Sequence, residues 1–214
     1  MMCKAVVFDL DDTLVDSWSR FDGGMLPVLD EAGISYDKED IIARMHPQGV
    51  PPTAAMFSEM GVPGTVEEIT RRLEEGMYRE YAHGIRLMPG AKEYLRHLRK
   101  QGSRLFVLTA SSHSITDPCL KNNGIYDWFE QVWTVEDYGL TKAQVALFER
   151  VAEHIGLSAQ EILYFDDNPV AVTNAAAAGM QVCGVLCPHT PDNAAQMPSV
   201  TPQYITSFGE LLRF

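Results

Sequence analysis

The chain has 214 residues, with 17 Lys+Arg against 29 Asp+Glu and a formal net charge of −12, a balance that argues against a nucleic-acid surface. At 46% hydrophobic and 21% charged residues it has the composition of a globular protein with one sizeable core, which excludes wholesale disorder and collagen-like repetition. No apolar run approaches the ~20 residues that span a bilayer, and Met1-Met2-Cys3-Lys4 leads into an apolar stretch stopped by Asp9, so the expectation is a cytoplasmic protein with no signal sequence and no membrane contact.

The run from Lys4 to Phe8 is the first predicted strand. From Asp16 to about Leu87 no buried strand is evident, only amphipathic helical stretches punctuated by Gly23-Gly24, Gly33, the Pro47 to Pro52 region and Gly61 to Gly64. About seventy residues is too long for a simple crossover. The segment 16–87 is therefore expected to be a small helical domain set into a core made of 1–15 and 88–214, with Pro27 interrupting its first helix. The acidic stretch Glu67 to Glu80, interleaved with Arg71, Arg72 and Arg79, reads as a solvated helix face.

Beyond the insertion, buried strands at Arg104 to Leu108, Ile162 to Phe165 and Met180 to Leu186 alternate with helical spacing at Ala91 to Lys100, Ser112 to Asn122, Lys142 to Ile155 and Pro169 to Ala178. Connections of that length cannot be hairpins, so the strands run parallel with helices on both faces: a doubly wound α/β sheet. Weaker strands at Gln131 to Trp133 and Gln203 to Ile205, the latter followed by a short helix to Phe214, extend it, and the four prolines between Pro188 and Pro202 predict an irregular loop. The four cysteines, Cys3, Cys119, Cys183 and Cys187, are scattered and read as reduced, buried thiols; Cys183, Cys187 and His189 match no common zinc spacing.

In an open parallel sheet, ligands bind beyond the carboxyl ends of the strands. There the sequence places Asp9, Asp11 and Asp12 after the first strand, Thr109 after the second, and Asp166-Asp167 after the strand ending at Phe165, with Lys142 opening the helix before it. Carboxylates converging from two strands repel by several kcal/mol at a protein-like dielectric, of order ~4 kcal/mol for a pair 4 Å apart, and demand a positive partner. Hard oxygen ligands suit Mg²⁺, which commonly binds through one or two carboxylates together with a substrate phosphate. Lys142, the Thr109 hydroxyl and backbone N–H groups such as that of Ala110 supply donors to phosphoryl oxygens, and Asp9 and Asp11, two apart, supply a nucleophile and a proton donor.

These residues resemble the four motifs of the haloacid dehalogenase (HAD) superfamily. FDLDDT (Phe8 to Thr13) is similar to its D-x-D-x-T motif, Thr109 in VLTASS to the second, Lys142 in LTKAQVALF to the third, and Asp166-Asp167 in YFDDNP to the acidic fourth. The resemblance spans nearly the whole chain, and the insertion is similar to the helical cap of the phosphoglycolate phosphatase and β-phosphoglucomutase branch. It implies a Rossmann-like core with an α-helical cap and Mg²⁺ held by the Asp9 side chain, the Asp11 backbone carbonyl and Asp167, with Asp166 bound directly or through water. Two positions depart from the pattern: Ala143 follows Lys142 where relatives carry proline, and Ala171 stands where a further Asp or Asn is frequent.

The activity implied is hydrolysis of a small phosphorylated metabolite through an aspartyl-phosphate on Asp9, with Asp11 as acid and then base. Asp11 argues against dehalogenation, since halide needs no proton on leaving. A sugar-phosphate mutase and a non-catalytic phosphometabolite sensor are the alternatives. Arg44, His46 and Gln48 are candidate substrate contacts in the cap, and the expected state is a monomer or weak homodimer.

Overall fold

The computed structural model describes residues 3–45 and 50–212. From β1 (Ala5–Phe8) the chain passes through α1 (Trp18–Met25), α2 (Pro27–Glu31), α3 (Lys38–Met45), α4 (Val50–Glu59) and α5 (Val66–Arg79). It then alternates: α6 (Ala91–Lys100), β2 (Arg104–Thr109), α7 (His113–Asn122), β3 (Gln131–Thr134), α8 (Val145–Ile155), β4 (Ile162–Asp166), α9 (Pro169–Ala177), β5 (Gln181–Val185), α10 (Pro191–Val200) and β6 (Tyr204–Ile205).

The six strands form one parallel sheet in the order β3-β2-β1-β4-β5-β6. The direction of winding reverses between β1 and β4, so right-handed crossovers put the helices before the reversal and those after it on opposite faces. Strand alternation sorts the side chains accordingly. Ala5, Val7, Phe106, Leu108, Ile162 and Tyr164 join Phe148 and Val151 of α8 and Ala171 of α9 in one buried cluster. On the other face Phe8 stacks on Phe165 with ring centroids 5.0 Å apart, and Tyr94 of α6 and Phe208 complete the aromatic group. Strands buried on both faces read as continuous apolar runs, which is why they stood out in the sequence.

The chain forms two compact units, Met1–Asp16 with Arg86–Phe214, and Ser17–Ile85. The exit and return strands explain where the insertion begins and ends: Val15 bridges Leu87 antiparallel, Met88 N–H donates to the Leu14 carbonyl, and Asp16 N–H donates to that of Arg86. Within the second unit, Pro27 occupies the first position of α2 directly after α1 ends, as its missing N–H requires.

Three expectations are corrected. Gly23-Gly24 does not punctuate a loop but lies inside α1, where Gly24 lets the backbone of α5 approach at Gly76. The proline-rich tract after Pro188 contains α10, because Pro191 takes the helix's first position, where no N–H is needed, and Pro198 falls in its last turn. Lys142 does not open a helix: the Gln144 side chain accepts from Thr141 N–H, closing a turn around Lys142, and α8 starts only at Val145.

Candidate active site

Pairing of β1 with β4 sets the register Phe8 to Phe165, and the next ladder bond, Asp9 N–H to the Phe165 carbonyl (2.9 Å), carries Asp9 to the level of Asp166. Period-two alternation puts Asp9 on the side of Val7, and Asp166 on the side of Tyr164, which is the face covered by α8. The turn that leads into α8 delivers Lys142 between them: its Nζ donates to Asp9 Oδ1 and, at 2.9 Å, to Asp166 Oδ2. Tyr164 Oη donates to the same Asp166 Oδ2, and Asn168 N–H donates to Oδ1 at 2.7 Å. Asn174 on α9 holds the Lys142 carbonyl through Nδ2 at 3.1 Å, fixing the turn that presents the lysine.

Asp167 is tied to both neighbouring loops. Its N–H donates to Thr13 Oγ1 at 3.0 Å, and its Oδ2 accepts from Thr190 Oγ1 at 3.4 Å. The loop after β1 doubles back on itself, with the N–H groups of Leu14 and Val15 both donating to the Leu10 carbonyl, and Asp12 adopts φ 54°, a conformation aspartate tolerates better than most residues. This turn separates the two aspartates before Asp12: Asp9 faces Lys142, while Asp11 Oδ2 accepts from Ser111 Oγ at 2.6 Å. Thr109 ends β2 fully buried, and its Oγ1 accepts from Ser111 N–H at 3.0 Å. Ala110 lies between them in the loop before α7.

Among the described residues, Asp9, Asp166 and Asp167 are the one group of potential metal ligands, each offering an oxygen within 4.8 Å of the others. All three are buried or nearly so. Burial pushes the Asp9 carboxyl well above the usual range, Lys142 opposes that shift, and Asp166, Asp167 and Asp11 reinforce it. Burial, then Asp166 and Asp12, raise Asp167 to about 8. Burial works against the Lys142 ammonium, but Asp166 and Asp9 overcome it and hold the lysine charged beyond its ordinary range. One ammonium among three carboxylates leaves negative charge that only protons or a cation can offset. Hard oxygen donors at this spacing fit Mg²⁺. The Asp11 carboxylate is not part of that group; the resemblance involves its backbone carbonyl only.

Arg44 lies at the end of α3 in the Ser17–Ile85 unit, exposed and paired with Asp40 at 3.4 Å. His46 and Gln48 lie outside the described residues. His113 opens α7 and pairs with Asp117 (3.2 Å) and Asp137 (3.0 Å); the bond to Asp117 raises its pKa, burial opposes it, and the contacts with Asp137 add to the rise. Ala171 is fully buried in the cluster beneath α8, so the position frequently acidic in relatives is core here. Cys119, Cys183 and Cys187 are free and buried, with burial raising the first two to about 12 and the third to about 11, as inert thiols.

Tyr164, Ser111 and Thr190 were not singled out from sequence. Ser111 carried a signal, since it stands two residues past a strand end at the ligand-facing side of the sheet. Tyr164 carried none, because an aromatic inside a buried strand reads as core.

A lysine-bridged carboxylate group at the switch point of a parallel sheet is the arrangement of an α/β enzyme whose active centre is built from strand ends. The chain belongs to the haloacid dehalogenase-like hydrolase family, whose model matches residues 6–185. It is 28% identical over 195 residues to hexitol phosphatase A of Escherichia coli (strain K12), covering 88% of this chain and 85% of that one. Its fold matches a predicted phosphoglycolate phosphatase from Haemophilus somnus 129pt with a TM-score of 0.80 at 21% identity, over 100% of this chain and 98% of the other. A HAD family hydrolase from Deinococcus radiodurans R1, solved with bound phosphate and sodium, matches with a TM-score of 0.77 at 25% identity, over 98% and 93% of the two chains.

Proposed function

We propose that this protein is a Mg²⁺-dependent phosphatase of small-molecule phosphate monoesters, acting through an aspartyl-phosphate on Asp9. The observation that carries the reading is the convergence of Asp9, Asp166 and Asp167 on one point with Lys142 between the first two. The phosphatase relative in Escherichia coli supports the same reaction class. Asp9, Asp167 and the Asp11 backbone carbonyl would hold the metal, with Asp166 directly or through water. Bound there, Mg²⁺ would neutralise carboxylate charge and draw a phosphoryl oxygen toward Asp9.

An Asp9 carboxylate oxygen forms a bond to phosphorus as the bond to the ester oxygen breaks, and Asp11, protonated at the start, gives its proton to that departing oxygen. Asp11 then takes a proton from water. The water oxygen bonds to phosphorus, the Asp9–phosphorus bond breaks, and inorganic phosphate leaves with the Asp9 carboxylate restored. Lys142 supplies positive charge beside Asp9, the Thr109 hydroxyl and Ala110 N–H supply donors to the phosphoryl oxygens, and Ser17–Ile85 is the cap.

The test is a panel of sugar, polyol and glycolate phosphates assayed with Mg²⁺ for released phosphate. Turnover of at least one ester is expected, lost by about 10⁴-fold or more in Asp9→Asn with the circular dichroism spectrum unchanged. Full activity in Asp9→Asn would remove Asp9 from its role. Isomerised sugar phosphate without free phosphate would assign the same site to a mutase.

A further inference from the structure

We infer that Ser111 is the positioning residue for the acid Asp11, an inference that rests on the phosphatase reading above. Ser111 is held from both sides of the loop after β2. Its N–H donates to Thr109 Oγ1 at 3.0 Å and its carbonyl accepts from Thr116 Oγ1 at 3.4 Å. With its backbone pinned, its hydroxyl donates to Asp11 Oδ2 at 2.6 Å, joining the end of β2 to the loop after β1 across 100 positions of sequence. The adjacent Ser112 does something different: its hydroxyl pairs with Ser114 at 2.7 Å on the surface of α7. Sequence alone does not distinguish the two serines of VLTASS; the contact with Asp11 does.

The chemical consequence follows from which oxygen is engaged. A hydroxyl donating to Oδ2 fixes the carboxyl rotamer and places the transferable proton on Oδ1. An acid whose proton has a fixed address begins the reaction with less reorganisation, and that advantage grows with the need of the leaving group for a proton. An alkoxide needs it fully; a nitrophenolate hardly at all.

The experiment compares wild type, Ser111→Ala and Ser111→Thr with Mg²⁺, measuring kcat/KM for 4-nitrophenyl phosphate and for the alkyl ester of the panel above that wild type hydrolyses fastest. kcat/KM reports the first irreversible step, in which the leaving group departs. Loss of positioning lowers the ratio of alkyl to aryl kcat/KM by about tenfold in Ser111→Ala, and the threonine hydroxyl restores most of it. An unchanged ratio, with both substrates affected equally or neither affected, would overturn the role of Ser111 while leaving the phosphatase reading standing. No phosphate release by wild type from any ester of that panel or from 4-nitrophenyl phosphate would instead contradict that reading, and the inference with it.

Discussion

Lys142 is the residue on which the site's electrostatics turn. Its side chain is only 14% exposed, and it is the cation set between Asp9 and Asp166. Removing one partner of a buried charged group leaves the others uncompensated, which costs roughly 3 kcal/mol or more. Lys142→Met is therefore expected to lose about 3 kcal/mol of stability at pH 7 in urea denaturation without metal. The loss should be smaller at pH 4.5 than at pH 7, because the Asp9 carboxyl, held above its usual range by burial, takes up a proton more readily than an ordinary carboxyl as pH falls and then has less need of a cation. An equal loss at both pH values would mean that the lysine acts by packing. Tyr164→Phe is the milder test of the same network: its hydroxyl donates to Asp166, and deletion should cost about 1 kcal/mol, read from the urea midpoint. The principal aspartates were legible in the sequence because they stand beside strand ends, where apolar runs stop abruptly at charge, and Lys142 because it precedes the helix that leads into the strand ending at those acids. Tyr164 was not, since its hydroxyl matters only through a partner two residues on along the same strand face.

At the scale of elements, the helical unit depends on one close approach. A Cβ at Gly76 of α5 would come within 1.8 Å of the Gly24 carbonyl oxygen on α1, a backbone atom that cannot swing aside. Gly76→Ala should destabilise the protein by about 2 kcal/mol or more, although alanine is the better helix former, because overpacking outweighs propensity there. Thr65→Ala, which removes a capping box with Glu68 at the start of α5, should cost about 1 kcal/mol and serves as the reference for losing helix stability without a clash. If Gly76→Ala proved neutral or stabilising by thermal unfolding, the α1–α5 contact would be wrong. The sequence allowed most element types to be placed because apolar period and glycine stops agree. It misled where one residue type has two physical uses. Gly24 is a helix contact and not a breaker, and Pro191 is a helix start and not a loop marker. Only the partner element, or the position within the turn, distinguishes the two.

For the whole molecule, the buried carboxylates make stability depend on pH and on metal together. Asp167, raised to about 8, and Asp9, raised as well, bind protons in the folded state that the unfolded chain releases at ordinary carboxyl values. The favourable contribution is complete below the unfolded values near pH 4 and is lost as pH rises toward 8. Glu161, lowered to about 2 by its bonds to Lys4 and Ser158, works in the opposite sense, giving stability at neutral pH that is lost only on strong acidification. In chelator, the melting temperature should therefore fall between pH 5 and pH 8. Added Mg²⁺ should raise it most at pH 8, where it takes the place of the lost protons. A melting temperature that rises from pH 5 to pH 8 in chelator, with no response to Mg²⁺, would contradict the convergence of carboxylates. The parallel, doubly wound sheet was implicit in the alternation of strands and helices, but the strand order was not, and the carboxylate cluster exists only once β1 and β4 lie side by side. That pairing spans more than 150 positions, with the Thr13 to Asp167 bond crossing 154 of them.

The central claim is that Asp9 becomes the phosphoryl acceptor, and rapid acid quench of a single turnover, followed by peptide mass spectrometry, tests it most directly. One transient phosphoryl group is expected on the peptide containing Asp9, absent from Asp9→Asn and decaying as inorganic phosphate appears. Phosphate released at the same rate with no label on that peptide, or a label on a different residue, would contradict it.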